Sequence, residues 1–185
     1  MNAREFQKRR LEQVRRDMRD LSGYATFAEI PEDLQGLGEL VRTLTTVNAH
    51  NAQGRNELPP LLVILVGETE QELMVLPVED RFRNNREKHA YFRQVGREVQ
   101  RSLKGRPISA VCAVSEAWQR DAETNAIFDE FVSTSAMRFS DGAAVIAMQF
   151  IDRDLEGVMT LGHPVYAVCT EAALLDAFRQ GTIAA

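Results

Sequence analysis

The residues that could do chemistry stand together at the end of one apolar segment, PISAVCAVSEAW, over residues 107–118. Ser115, Glu116 and Trp118 close that segment. Burial beside an indole would suit a glutamate to general acid or base work, so Glu116 and Ser115 are candidate catalytic residues and Trp118 is a candidate binding residue. The alternative for Glu116 is a rim carboxylate or a structural hydrogen bond, because a strand end usually emerges into water. Ser115 lacks the glycine-flanked turn that exposes a nucleophilic serine.

No second motif supplies a metal, nucleotide or nucleophile site. His50, His89 and His163 form no HxH, HExxH or helical ExxH spacing, which a local metal centre would need. The glycines form neither a GxGxxG nor a Walker-type loop. Cys112 and Cys169 lie in apolar segments without a partner at metal spacing, so both are expected to be buried core thiols in a reducing cytoplasm. We therefore predict no metal and no cofactor.

An acidic cluster surrounds a predicted hairpin. Nucleases that use a metal place acids on neighbouring strands, usually with a lysine two residues after one of them, and that pattern is missing here. We interpret the cluster as a solvated turn and strand end. Its members are Glu68, Glu70, Glu72, Glu79 and Asp80.

The segment that carries the candidate residues is predicted to be a central strand. Ile108 to Val114 is apolar on both faces at period two, which is typical of a strand covered on both sides. A helix over 84–104 should precede it, capped by Asn84 or Asn85 and stopped at Gly105. Upstream, 61–67 and 72–78 predict a hairpin that turns near Gly67–Gln71, and Pro77 places its second strand at an edge.

The rest of the chain supplies two further strands and three further helices. We expect strands over 143–151 and 158–169, with a bulge or bend at residues 162–164. Helices are expected over 4–21, from Pro31 to Val47, and from Thr170 to Gly181. The polar stretch 119–141 is predicted to be a long excursion or a short helix near 124–133.

This order, αα–ββ–α–β–ββ–α, predicts one α+β domain over residues 1–185. We expect a helical N-terminal part over 1–50 and a sheet-containing core over 60–181. The sheet should have five strands, be largely antiparallel or mixed, and carry helices on both sides.

Charge and hydropathy narrow the function classes. The formal net charge of −5 disfavours nucleic-acid binding. Residues 1–20 carry seven basic and four acidic side chains, so a basic helix that docks on nucleic acid is a weaker alternative. No apolar run is long enough to span a bilayer, and no signal sequence begins the chain. We expect a soluble, cytoplasmic, prokaryotic protein.

The strand that ends in Ser115, Glu116, Ala117 and Trp118 resembles one found in a widespread set of uncharacterised prokaryotic and phage-associated proteins. There, a strand with a Ser-Glu-Ala-Trp-type end follows a helix and precedes a variable polar stretch. The resemblance covers roughly residues 60–151 and implies no assigned activity.

Two hypotheses follow from the sequence. The first is a non-enzymatic binding or scaffold module, with an unknown protein partner or self-association as a homodimer; its plan is loosely like that of small acidic secretion chaperones. The second is a small hydrolase-type enzyme with its site near Glu116.

Overall fold

The fold is a curled antiparallel sheet with helices on both faces. The computed structural model describes residues 21, 23–68, 71–79, 82–120, 123, 127–169 and 172–184. The helices are α1 (Gln35–Ala52), α2 (Asn85–Leu103) and α3 (Ala173–Ile183), with 3-10 turns at Phe27–Glu29 and Glu32–Leu34. The strands are β1 (Leu61–Val66), β2 (Glu72–Pro77), β3 (Ile108–Arg120), β4 (Ile127–Arg138), β5 (Ala144–Arg153), β6 (Met159–Leu161) and β7 (Val165–Cys169).

The strand order is β2-β1-β3-β4-β5, and β5 pairs with both β6 and β7. Every pair is antiparallel. β6 pairs with the last residues of β5 and β7 with the first, so the two lie along one edge that is broken at residues 162–164. The break predicted at Gly162-His163-Pro164 is confirmed, and so are the β1–β2 hairpin and the edge position of the strand with Pro77.

The predicted number and order of strands were wrong. The described sheet has seven strands rather than five, for two reasons. The stretch 119–141, predicted as a long excursion or a short helix near 124–133, carries the end of β3, which continues to Arg120, and β4, which pairs back along it. The single strand predicted over 158–169 is divided into β6 and β7 by the break at residues 162–164. β4 has a polar sequence because only one of its faces is fully covered. Val132, Thr134 and Ala136 are buried, whereas the serines between them are half-buried.

The bounds of the helix predicted from Pro31 to Val47 were wrong. Pro31 precedes a 3-10 turn, and the regular helix α1 begins only at Gln35 and ends at Ala52. The helix predicted over 4–21 lies outside the described residues, apart from Leu21, and so do Thr170 and Glu171, with which the last helix was expected to begin.

The core has two layers, one on each face of the sheet. α2 and α3 cover one face and pack on Leu62, Ile64 and Val111, while α1 covers the other face over Cys112 and neighbouring residues. The predicted helices on both sides, and the position of residues 108–114 as a central strand between β1 and β4, are confirmed.

The helix predicted over 84–104 is confirmed with its caps. The Asn84 side chain accepts a hydrogen bond from the Glu87 N–H at 2.9 Å, which satisfies one of the otherwise unpaired donors of the first turn. Lys104 and Gly105 end the helix with φ of 51° and 87°, where glycine avoids the strain of a left-handed residue. This end delivers the chain directly into β3.

One buried hydrogen bond joins α1 to the sheet and gives a first prediction. Asn48 donates to the Thr134 hydroxyl at 2.9 Å, and both residues are buried. Thr134→Val should lower the free energy of unfolding by about 1–3 kcal/mol, because the Asn48 amide loses its acceptor away from water. Chemical denaturation measures the loss. Thr46→Val, on the exposed side of the same helix, is the control; an equal loss in both variants would contradict a role for this bond.

Candidate functional site

β3 extends past its neighbour β1 at its polar end, residues 115–120. β1 begins at Leu61, which pairs with Val114. Pro59 and Pro60 precede it, and proline has no N–H to donate to a ladder. The pairing with β1 therefore stops at Val114, and beyond that point β3 is paired on one side only, with β4.

Glu116, the predicted candidate acid or base, fastens the segment before β1 to β3. Its Oε1 accepts a hydrogen bond from the Leu58 N–H at 2.7 Å, and its Oε2 lies 3.6 Å from the Arg153 guanidinium. The side chain is 15% exposed. Both carboxylate oxygens thus have partners within the fold, as the alternative of a structural hydrogen bond anticipated.

Arg153, at the end of β5, joins the elements around Glu116. Its Nε donates to Glu130 on β4 at 2.7 Å, and its Nη1 donates to the carbonyl oxygens of Asn56 and Gly157. One guanidinium therefore holds two carboxylates and two loops in place. Sequence reasoning missed this residue, because nothing local shows that the side chain at the end of β5 reaches Glu116 across β4.

Ser115, the other candidate catalytic residue, lies on the opposite face of β3 from Glu116, since successive side chains alternate across a strand. Ser115 is half-buried and lines a cleft. Within the ranges that the structure describes, no titratable side chain hydrogen-bonds to its hydroxyl. The structure therefore does not bring Ser115 and Glu116 together as nucleophile and base.

The cleft beside this end of β3 has a volume of about 210 Å³. It lies among the start of β1, the segment after β2, the first turns of α2 and the start of α3. Trp118 contributes to it and is 53% exposed. The apolar lining comes from Leu58, Pro60, Leu61, Val78, Phe82, Phe92, Ala113, Val114, Trp118 and Leu174, and the polar lining from Glu57, Glu79, Lys88, Ser115 and Glu116.

Lys88 is the functional candidate that sequence reasoning missed. It lies in the first turns of α2, is half-buried, and lines the cleft one turn before Phe92. Within the described part of the chain its ammonium has no ion pair or hydrogen bond to a side chain. Burial lowers the pKa of Lys88, because the charged form loses hydration. A signal was present: the apolar seam of this helix, followed back four residues from Phe92, reaches Lys88.

The wall opposite β3 is held by aromatic contacts. The Phe82 and Tyr91 rings lie 5.2 Å apart between centroids, and the Tyr91 hydroxyl accepts from the Glu79 N–H at 3.2 Å. The rim carboxylates, Glu57 and Glu79, are exposed. The cleft therefore combines an apolar lining with one half-buried cation, Lys88, and exposed acidic side chains.

The histidines and cysteines lie elsewhere. His50 is in the last turn of α1, His89 is in α2 and His163 is in the bend before β7. Burial raises the pKa of the Cys112 thiol to about 12, so Cys112 stays protonated near neutral pH. Cys169 is half-buried, which corrects the expectation that both thiols are buried.

The acidic cluster forms no cation site in the described ranges, where no group of three potential ligands comes together. Glu68 and Glu79 are exposed, and Glu72 pairs with Arg106 at 2.9 Å. Glu70 and Asp80 lie outside the described residues.

Comparison of the chain with protein-family models, with curated proteins and with solved structures found no match. The resemblance carried by Ser115, Glu116, Ala117 and Trp118 stays a prediction. None of the helices in the described ranges is long and apolar enough to cross a membrane.

Proposed function

We propose that this protein is a non-enzymatic binding module and that the cleft at the polar end of β3 is its binding site. The observation that carries the proposal is the Lys88 ammonium, which is half-buried in an apolar cleft without an ion-pair partner among the described residues. A half-buried cation without a counter-ion is costly, and a bound anion would offset that cost. The ligand class is therefore one that combines an apolar group with a negative charge.

The contacts of the candidate catalytic residues support binding over hydrolysis. A general base needs a carboxylate free to accept a proton from the nucleophile, but both oxygens of Glu116 have partners within the fold. The Ser115 side chain lies on the other face of the strand. The lining includes no histidine that could activate it.

The proposal predicts binding of anilinonaphthalene sulfonate, a fluorescent aromatic anion. Trp118 is the sole tryptophan of the chain and lines the cleft, so energy transfer from Trp118 to the dye reports dye binding, and the variants locate the site. Lys88→Met should weaken dye binding roughly tenfold, as expected for the loss of one partly desolvated charge contact. Ser115→Leu should abolish it by filling the cleft.

Lys104→Met is the matched control, since Lys104 is an exposed lysine at the other end of the same helix. It removes the same charge outside the cleft and should leave dye affinity unchanged. Equal affinities in the wild type, Lys88→Met and Ser115→Leu would show that the dye binds elsewhere and would refute the proposed site.

The natural partner we propose is a protein, in keeping with the formal net charge of −5, which disfavours nucleic acid. The cellular setting we propose is a reducing prokaryotic cytoplasm, supported by the buried thiol of Cys112. Self-association as a homodimer remains the other candidate. Light scattering coupled to size exclusion separates the two, because a monomer at micromolar concentration leaves only a different partner.

A further inference from the structure

Two hydrogen bonds determine which neighbour the main-chain groups of β3 face. The Phe139 N–H donates to the Ser109 carbonyl oxygen at 2.9 Å. The main-chain N–H and C=O groups of Ser109 therefore point toward β4, and so do those of the following odd-numbered residues of β3, because the register is unbroken. The Val78 N–H donates to the Pro60 carbonyl oxygen, so the main-chain carbonyl of Pro60 points toward β2. Main-chain groups alternate in direction along a strand, so those of the next residue, Leu61, point toward β3. Even-numbered residues of β3 therefore face β1.

Past the end of β1, two even-numbered residues face a position that no described main-chain group occupies. The main-chain N–H and C=O groups of Glu116 and Trp118 point to the side where β1 would continue. Leu58, which precedes the two prolines, does not pair with them; its N–H goes to the Glu116 side chain. Among the described residues no main-chain group bonds to either residue on this side. In the described part of the chain this edge of β3 is therefore unpaired, and it adjoins the cleft.

The open edge has the dimensions of a short strand site. Residues two apart in a strand are separated by about 6.6 Å, so an extended segment beside Glu116 and Trp118 could form about four main-chain hydrogen bonds with them. One face of such a segment would point toward the apolar lining that includes Phe92 and Leu174. Lys88 lines the same cleft.

We infer that the ligand of this cleft is an extended peptide segment of a partner protein, which adds as a strand to β3 beyond β1. The added strand places an apolar side chain in the cleft and an acidic group against Lys88. This inference rests on the proposed function. Strand addition takes its affinity from main-chain hydrogen bonds and its selectivity from side-chain pockets, and the cleft supplies both beside one unpaired cation.

The outer edge of β2 is another strand edge of the described sheet, and it fits a peptide less well. Its outward-facing residues include Pro77, which cannot donate. The side chain of Glu72, on the same strand, is already paired with Arg106. Charge and shape complementarity therefore favour the β3 edge.

The test uses a positional-scanning library of acetylated, amidated hexapeptides, read by Trp118 emission and by displacement of anilinonaphthalene sulfonate. We expect the selected sequences to combine an apolar residue with Asp or Glu. N-methylation of the best peptide, one position at a time, should weaken binding roughly tenfold at alternate positions and little at the positions between, because only alternate amides bond to β3. Lys88→Glu should shift the preference from acidic to basic peptides.

Amide hydrogen exchange supplies a second readout. The bound peptide should slow exchange at the Glu116 and Trp118 amides and leave Ser115 and Ala117 unchanged, since those two already bond to β4. Affinity that is indifferent to N-methylation at every position, or dye binding without any peptide binding, would overturn strand addition and leave the proposed function standing. Failure of both the dye and the peptides to bind would refute the proposed function itself.

Discussion

Arg153→Met should lower the free energy of unfolding by about 2–3 kcal/mol. The Arg153 guanidinium donates to Glu130 and lies 3.6 Å from Glu116. The Arg153, Glu130 and Glu116 side chains are 27%, 32% and 15% exposed. Removing the guanidinium leaves two neighbouring, partly buried negative charges without a cation, and breaking a fully buried pair typically costs 3–5 kcal/mol. The partial exposure of all three side chains reduces the expected loss. Two carbonyl oxygens, of Asn56 and Gly157, lose their donor as well.

Arg106→Met is the matched control for Arg153→Met. Arg106 makes an ion pair with Glu72, in which the two side chains are 47% and 70% exposed; such surface pairs contribute about 0–1 kcal/mol. Urea denaturation should separate the two variants clearly. Similar midpoints for both would mean that Arg153 does not hold the segment before β1 against β3, and the structural role assigned to Glu116 would fall with it.

Local sequence signals predicted the elements that lie closest to the site. The apolar run Ile108 to Val114 identified a central strand, because only burial on both faces accounts for it. The cap at Asn84 and the stop at Gly105 bounded α2. β4 was missed because its polar half-covered face resembles a loop, and its serines reveal a strand only once β3 is known to lie alongside.

The sequence predicted the polar end of β3 as the candidate site, and its function stays a prediction. The polar end of β3 does adjoin a cleft, and Trp118 does line it. The role of Glu116 depends on Arg153, which reaches it only through the pairing of β4 with β5, and no local pattern encodes that contact. Helical spacing from Phe92 could have pointed to Lys88. A lysine at the end of an apolar seam usually extends its ammonium into water, however, so the spacing alone does not distinguish a binding residue from a solvated one.

Gly96→Ala and Gly181→Ala should each destabilise the protein by about 3 kcal/mol, although alanine has a higher helix propensity than glycine. These glycines lie where α2 and α3 cross. A Cβ at Gly96 would overlap the carbonyl oxygen of Phe178, and one at Gly181 would overlap the carbonyl oxygen of Arg93. Both obstacles are helix backbone, so one helix must move away from the other, and overpacking of this kind usually costs 1–3 kcal/mol or more. Leu174 moves with α3, so the cleft should widen too.

Gly36→Ala supplies the control with the opposite sign. Gly36 is exposed near the start of α1, and nothing lies within 4 Å of an added Cβ, so alanine should stabilise the protein by up to about 1 kcal/mol. The double variant of Gly96 and Gly181 should cost less than the sum of the two single ones, because a helix that has already moved accommodates the second methyl group. Thermal unfolding of the four variants measures these changes in stability. Stabilisation by alanine at all three positions would mean that α2 and α3 do not cross this closely, and would contradict the described position of the α2 and α3 residues that line the cleft.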